Sequence, residues 1–133
     1  MVEFPWVPVV FKKIGRVYLP LCDVEIKSKY GRWITFNFKV DSSADMTLMQ
    51  VYDCYTLGYT LGDCKHHFSS NINKEKFRTH VRNFDIRIGD DIAKDVPIAF
   101  SVKPIETLLL GRMKIFDNFI VCFDDIKKQT LPL

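Results

Sequence analysis

The sequence lacks any apolar run long enough to cross a membrane as a helix, which argues against a membrane-spanning protein within this chain. The apolar stretch 1–11 carries Glu3 and two prolines, with neither a basic leading segment nor a small-residue cleavage site, so we do not predict a secretory signal. We therefore expect no membrane partner within this chain and a cytoplasmic location.

The sequence also lacks a C-x-x-C pair. Its four cysteines, Cys22, Cys54, Cys64 and Cys122, are widely spaced. This pattern favours buried or half-buried thiols in a reducing compartment. A disulfide between Cys54 and Cys64 is the alternative.

The chain has little charge bias: the net charge is +3, with both signs spread along the sequence. One basic run, broken by Glu75 and Asp85, contains Lys74, Lys76, Arg78, Arg82 and Arg87. A solvated hairpin explains this run best, and attraction of nucleic acid or an acidic substrate is the weaker alternative. We expect no nucleic-acid partner.

The chain has 133 residues, of which 47% are apolar and 14% aromatic, as in a folded protein. The sequence shows no linker or low-complexity tract, so we predict one domain over residues 1–133. A domain of this size buries a small core, which is compatible with association with a second copy.

The clearest strand signal is W-I-T-F-N-F-K-V, Trp33–Val40. Its alternation places Ile34, Phe36, Phe38 and Val40 on one face. A second strand is predicted over Val17–Ile26, with a turn at Ser28–Gly31 between the two. Together they predict a β-hairpin.

Further strands are predicted at Phe77–Ile88, Val96–Val102 and Phe119–Phe123, and Pro97 favours a strand start or an edge position. Other predictions are a short helix or a strand over Thr47–Leu57, a loop or hairpin tip over Asp63–Lys76, a helical turn over Met113–Phe119, and pairing of the apolar tail 130–133. The pattern predicts an all-β, barrel-like domain with one or two short helices.

Two apolar segments of the sequence end abruptly, and the first of them ends at an acidic residue. Strand 33–40 runs directly into Asp41, followed by Ser42, Ser43, Ala44 and Asp45. Taken alone, this stretch is typical of a turn after a strand. A second apolar segment ends in L-L-L-G-R at Arg112, which suggests two related strand–loop units.

These two segments resemble the retropepsins, the single-domain aspartic proteases. V-D-S-S-A-D-M-T resembles their D-[ST]-G-A-D-x-T motif, and L-L-L-G-R-M resembles their apolar-apolar-G-R-[ND] segment. The resemblance covers about residues 17–133. It implies a small closed acid-protease barrel that functions as a homodimer and cleaves a peptide or protein substrate.

The resemblance also implies roles for individual residues. Asp41 from each of two copies would form the catalytic pair, supported by Ser42, Ser43 and Ala44. Leu110 and Gly111 would form the second loop, and Asp45 and Arg112 an ion pair at the dimer contact.

The sequence departs from the family at several positions. Ser43 stands where the family has glycine, Met113 replaces an Asn or Asp, and Met46 replaces an acid found in some members. The flap, the hairpin that covers substrate, should lie in about 65–78, and its tip S-S-N-I-N-K has no glycine. These changes favour the alternative of a non-catalytic module for dimerisation or peptide binding.

Two further candidate sites are weaker. Cys64, His66 and His67 lie close together, but adjacent histidines on an extended chain point to opposite faces and no fourth ligand is evident. We predict an exposed loop there, with no metal and no cofactor. His80 is expected to be a surface or half-buried strand residue, without a catalytic role.

Overall fold

The computed structural model describes residues 4–5, 7–11, 15–70, 76–118, 121–124 and 129–132. Within these ranges the chain forms twelve strands, one α-helix and one 3-10 helix. The strands are β1 (Phe4–Pro5), β2 (Val7–Phe11), β3 (Gly15–Leu19), β4 (Leu21–Lys27), β5 (Trp33–Val40), β6 (Thr47–Gln50), β7 (Lys65–Ser70), β8 (Lys76–Ile88), β9 (Asp91–Ser101), β10 (Leu109–Leu110), β11 (Val121–Asp124) and β12 (Gln129–Pro132). Helix α1 is Val51–Thr56, and the 3-10 helix is Leu61–Asp63.

Most strands belong to one sheet that closes on itself. Its order is β4-β5-β10-β6-β9-β8-β7, and β4 also pairs with β8. Six strands thus form a closed barrel, and β7 extends from β8 as the outer arm of a hairpin. The prediction of an all-β closed barrel with one or two short helices is confirmed. No helix in the described ranges is long and apolar enough to span a bilayer.

The predicted hairpin before Asp41 is present. Strand β5 has the predicted bounds, and its residues pair antiparallel with β4, for example Val24 with Phe36. Phe38 and Val40 lie buried on the predicted inner face. The turn at 28–31 closes through a hydrogen bond from the Gly31 backbone nitrogen to the Ser28 carbonyl at 3.0 Å, with Gly31 at a φ of 81°.

The single strand predicted over Val17–Ile26 is wrong, because the chain forms two strands separated by Pro20. Proline has no backbone N–H to donate to a ladder. Upstream of it, β3 pairs with β2 in a separate two-stranded sheet, whereas β4 joins the barrel. The Pro20 carbonyl accepts a hydrogen bond from the Val40 nitrogen at 2.9 Å, next to the end of β5.

The segment Thr47–Leu57 is part strand and part helix. Its first four residues form β6, which pairs in parallel with β9, and α1 follows. A capping box between Gln50 and Asp53 starts the helix. Tyr52 and Tyr55 have the spacing of one helix face in the sequence, but that face is not buried: Tyr52 is 75% exposed, whereas Cys54 is buried.

Of the two alternatives predicted for Asp63–Lys76, a loop or a hairpin tip, the structure has the hairpin: β7 and β8 pair from Lys65 opposite Val81 to Ser70 opposite Lys76. Its tip, 71–75, lies outside the described residues. We call this β7–β8 unit the flap hairpin. The strand predicted over Phe77–Ile88 is confirmed as most of β8.

Strand β9 begins five residues earlier than Val96, and Pro97 lies inside it, between two neighbouring strands. The start-or-edge prediction for Pro97 is therefore wrong. Pro97 pairs with Asn83 of β8, but pairing with β6 begins only at Ile98. Pro97, which has no backbone N–H, thus lies one residue before β6 begins to pair with β9.

The helical turn predicted over Met113–Phe119 is seen in the described residues 113–118. Residues 113–118 form successive turns, with the Ile115 and Phe116 nitrogens donating to the Arg112 carbonyl. Residues 119–120 lie outside the described ranges, and the predicted closing strand is seen as β11. The predicted pairing of the tail is confirmed, since β12 lies between β1 and β11.

The core fills the barrel. Its fully buried members come from most barrel strands and α1, and include Phe38, Met49, Leu57, Ile98 and Phe100. Phe84 packs edge-on against both Tyr59 and Phe100, with ring centroids 5.5 and 5.8 Å apart. This core holds the end of β5 in place.

Candidate active site

Asp41 lies immediately after β5, at the point where the strand leaves the core. Its backbone nitrogen donates a hydrogen bond to the Leu110 carbonyl at 3.1 Å. The Lys39 nitrogen donates to the Leu108 carbonyl at 2.8 Å, so β10 runs parallel to β5 up to the acid. The backbone of the half-buried Asp41 is therefore held between the end of β5 and β10.

The loop after Asp41 folds back onto the carboxylate. The Ser43 backbone nitrogen donates to Asp41 Oδ1 at 3.0 Å, and the Ser43 hydroxyl donates to the same oxygen at 2.6 Å. The Ala44 nitrogen donates to the Asp41 carbonyl at 3.2 Å. This is an Asx-type turn, in which the acid organises its own loop.

Ser43 fits this loop without backbone strain. Among the described non-glycine residues, only Asp95 and Lys114 have positive φ. The position of Ser43 therefore does not need glycine for its dihedral angles, and its side chain adds a donor beside the carboxylate.

The second loop lies directly against the first. The Arg112 nitrogen donates to the Ala44 carbonyl at 2.9 Å, and the Met113 nitrogen donates to the Asp45 carbonyl at 2.8 Å. The two segments that the sequence related to each other are therefore neighbours in space. Their backbones form one continuous, hydrogen-bonded platform.

Gly111 makes this contact possible. A Cβ built on Gly111 would lie 2.6 Å from the Met46 carbonyl oxygen and 2.8 Å from the Thr47 nitrogen, closer than side-chain atoms pack. The buried Gly111 nitrogen donates to the Thr47 hydroxyl at 3.1 Å. Only glycine allows the two loops to approach this closely.

Thr47 is a site residue to which the sequence interpretation assigned no role. It is the last residue of the D-S-S-A-D-M-T stretch, and its side chain is 2% exposed. Its hydroxyl satisfies a buried N–H that would otherwise have no partner. The sequence signal for this role was the hydroxyl side chain of Thr47 between the apolar residues Met46 and Leu48.

Asp45 and Arg112 lie on adjacent loops, and both side chains are exposed. Among the described residues of one chain, Glu25 and Arg87 form an ion pair, whereas Asp45 and Arg112 do not pair with each other. The Arg112 guanidinium lies 5.8 Å from the Phe116 ring. The predicted ion pair concerned a contact between two copies, and it stays a prediction, as does the supporting role of the exposed Ser42 at the catalytic pair.

The other candidate residues are placed as follows. No group of three metal-binding side chains occurs among the described residues. His66 and His80 face each other across the flap hairpin, with ring centroids 4.7 Å apart. His80 is buried, and its Nδ1 has no hydrogen-bond partner in the described ranges.

Members of the basic run contact this chain's own groups. Arg87 pairs with Glu25 and lies 4.6 Å from the Trp33 ring centroid. Arg82 lies 4.0 Å from the Tyr59 ring centroid and donates through Nη1 to a backbone carbonyl at 3.0 Å. Both guanidinium groups are therefore already engaged within the barrel.

The fold is similar to that of a solved protein. A crystal structure of a retropepsin-like aspartic protease from Rickettsia conorii superposes with a TM-score of 0.67, covering 98% of this chain and 99% of that one at 16% sequence identity. Searches against protein-family models and among curated proteins found no match. At this identity the likeness shows the fold alone, and the chain therefore has a retropepsin-like fold.

Proposed function

We propose that the protein is a homodimeric aspartic endopeptidase in which Asp41 from each copy forms the catalytic pair. The hydrogen-bonded Asp41 loop is the observation that carries this proposal. Ser43, the residue that departs most from the family motif, donates twice to the carboxylate and keeps it oriented. The retropepsin-like fold supports the same conclusion.

A second copy is needed because one chain supplies only half of the chemistry. The sequence contains one D-S-S-A segment, and the related second loop carries Gly111 and Arg112 where no acid is present. A twofold axis beside the Asp41 loop would bring two identical carboxyl groups together.

Two carboxyl groups at close range share one proton, because both cannot ionise easily. The ionised Asp41 takes a proton from a water molecule as that water attacks the peptide carbonyl. The protonated Asp41 of the other copy donates its proton to the carbonyl oxygen. Collapse of the tetrahedral intermediate then breaks the C–N bond, and the amine leaves with a proton.

The substrate would bind as an extended peptide between this platform and the flap hairpin. Backbone hydrogen bonds to an extended segment give affinity without a demand on sequence, and side-chain pockets then add preference. The engaged state of Arg82 and Arg87 does not favour nucleic acid as the ligand.

The alternative is a retropepsin-like module that dimerises or binds peptides without cleaving them. The replacement of glycine by Ser43 and the glycine-free tip S-S-N-I-N-K favour it. The two proposals differ in whether a bound peptide is hydrolysed.

The test uses the full chain, an unfolded protein substrate and a statine-type inhibitor over pH 3 to 7. We expect cleavage that the inhibitor blocks. Asp41→Asn should reduce the rate at least about a thousandfold, since it removes the acid–base group. Analytical ultracentrifugation of the same variant should still show a dimer.

Two results would overturn the proposal. A wild-type chain that is monomeric at the assay concentration cannot assemble the pair. A chain that binds peptide or the statine inhibitor but hydrolyses nothing across this pH range is the binding module instead.

A further inference from the structure

Two cysteine side chains meet between α1 and the flap hairpin. The sulfurs of Cys54 and Cys64 lie 3.9 Å apart, and both are free thiols. Cys54 is fully buried in α1, whereas Cys64 is half-buried and directly precedes β7. Another cysteine, Cys22, lies in β4 and is a free, buried thiol.

The local backbone holds these sulfurs side by side. Cys54 Sγ lies 3.7 Å from the Tyr59 carbonyl, and Cys64 Sγ lies 3.6 Å from the adjacent Thr60 carbonyl. Asp63 accepts hydrogen bonds from both the nitrogen and the hydroxyl of Thr60, which fixes the turn before Cys64. A disulfide needs a sulfur separation of about 2.05 Å, so a modest rotation of the half-buried Cys64 side chain would bring the sulfurs into bonding range.

We propose that Cys54 and Cys64 form a reversible oxidation site, whose disulfide slows the peptide hydrolysis proposed above. The oxidant is a hydroperoxide such as hydrogen peroxide. The Cys64 thiolate attacks one peroxide oxygen and becomes a sulfenic acid, and the other oxygen leaves as water after taking up a proton. The Cys54 sulfur then attacks the sulfenic sulfur, which forms the S–S bond and releases a second water molecule.

Cys64 is the residue that reacts first. Burial, and after it the neighbouring Cys64 sulfur, raises the pKa of the Cys54 thiol to about 12. Burial also raises the pKa of Cys64, but the hydrogen bond from Cys54 and the positive charge of Arg82 oppose that rise. Asp63 adds negative charge near both thiols, so oxidation should be slow at neutral pH and faster as the pH rises.

The bond would connect helix α1 to the base of the flap hairpin. Helix α1 follows β6, which leaves the Asp41 loop, and Cys64 begins the first arm of the flap hairpin. A covalent link here fixes the base of that arm to the catalytic platform. Because substrate must pass the flap hairpin, restraint at its base slows peptide entry; this consequence rests on the proposed function.

The experiment first measures the bond itself, without any assay of activity. The full chain is treated with hydrogen peroxide at pH 8, and remaining thiols are alkylated before digestion and mass spectrometry. We expect one peptide pair joined through Cys54 and Cys64 and lighter by two hydrogens, with Cys22 alkylated as the internal control. Dithiothreitol should restore both thiols.

Matched variants separate the pair from general oxidation. Cys64→Ser and Cys54→Ala should each abolish the linked peptide. In the wild type, oxidation should lower kcat/KM for peptide cleavage at least about threefold, reversibly, whereas Cys64→Ser should be insensitive. Absence of the linked peptide, or linkage to a different cysteine, overturns the site; a bond that leaves kcat/KM unchanged overturns its effect on hydrolysis.

A chain that forms the bond but cleaves no peptide in either redox state leaves the oxidation site standing and removes the proposed function. The two failures are therefore distinguishable. Mass spectrometry alone decides whether the disulfide forms. The peptide-cleavage assay of the reduced protein alone decides whether the proposed function is correct.

Discussion

Ser43 donates two hydrogen bonds to one carboxylate oxygen of Asp41, from its backbone nitrogen at 3.0 Å and from its hydroxyl at 2.6 Å. A glycine at this position could make only the first. The residue that departs from the retropepsin motif therefore adds a contact to the acid. This contact makes Ser43 a positioning residue for Asp41 if the proposed chemistry is correct.

Ser43→Ala should lower kcat about tenfold and leave KM little changed. The variant keeps the backbone hydrogen bond but removes the hydroxyl donor, and a hydrogen bond to a charged group contributes about 1.5–3 kcal/mol. Ser43→Thr retains a hydroxyl and should keep most of the activity. Steady-state kinetics on one peptide substrate measures all three proteins.

Ser43→Gly separates the two proposed functions. It restores the family residue and removes the same hydroxyl, so an active enzyme should lose activity to about the same extent as Ser43→Ala. A gain of cleavage in Ser43→Gly over the wild type would instead identify the wild type as the degenerate module.

Gly111→Ala should destabilise the protein by about 2–3 kcal/mol, because the added methyl group collides with backbone rather than with a flexible side chain. The Met46 carbonyl oxygen would lie 2.6 Å from it. Urea unfolding followed by circular dichroism measures the change. Cleavage should fall as well, since the loop carrying Asp41 must shift.

Gly62→Ala is the matched control. A Cβ there lies 3.5 Å from the Thr60 hydroxyl, an ordinary contact. The variant should unfold within about 0.5 kcal/mol of the wild type. Equal destabilisation at Gly62 and Gly111 would contradict the close approach of the two loops.

Thr47→Val should cost about 1–3 kcal/mol of unfolding free energy, because it leaves the buried Gly111 N–H without an acceptor while keeping the side-chain volume. Thr47→Ser loses a methyl group but keeps the acceptor, and should cost about 0.8 kcal/mol. If Thr47→Val is the more stable of the two variants, the hydroxyl has no structural role. Thermal unfolding of both variants decides this.

The sequence predicted strand β5 and the position of Asp41 correctly, because alternation over eight residues is a local signal. That the second loop lies close to the Asp41 loop was indicated only by the occurrence of the two retropepsin-like motifs in order. What brings Arg112 beside Ala44 is a parallel pairing of β10 with β5, which no local pattern reveals.

The errors have physical causes of the same kind. The spacing of Tyr52 and Tyr55 is helical, but tertiary packing buries Cys54 and Leu57 instead and leaves both tyrosines exposed. Pro97 is tolerated inside the barrel because β6 begins to pair one residue later. In both cases a neighbouring strand, distant in sequence, decided the outcome.

His80 should make the protein less stable as the pH falls below neutrality. Burial, together with the nearby His66 and Arg78, lowers the pKa of His80 below its ordinary value of 6.5. The unfolded state then binds more protons than the folded state between the two pKa values, so stability is complete above pH 6.5 and decreases as the pH falls through that range. Thermal midpoints measured from pH 7.5 to 5 should show this decrease.

His80→Gln should flatten that dependence, because glutamine does not titrate. His66→Gln should leave part of it, since burial is the largest single cause of the lowered pKa of His80. A wild-type midpoint that does not change over this range, or a decrease that persists undiminished in His80→Gln, would show that another group is responsible. The buried histidine at the flap hairpin therefore lowers the stability of the folded protein on the acidic side of pH 6.5, within the pH range in which cleavage is to be assayed.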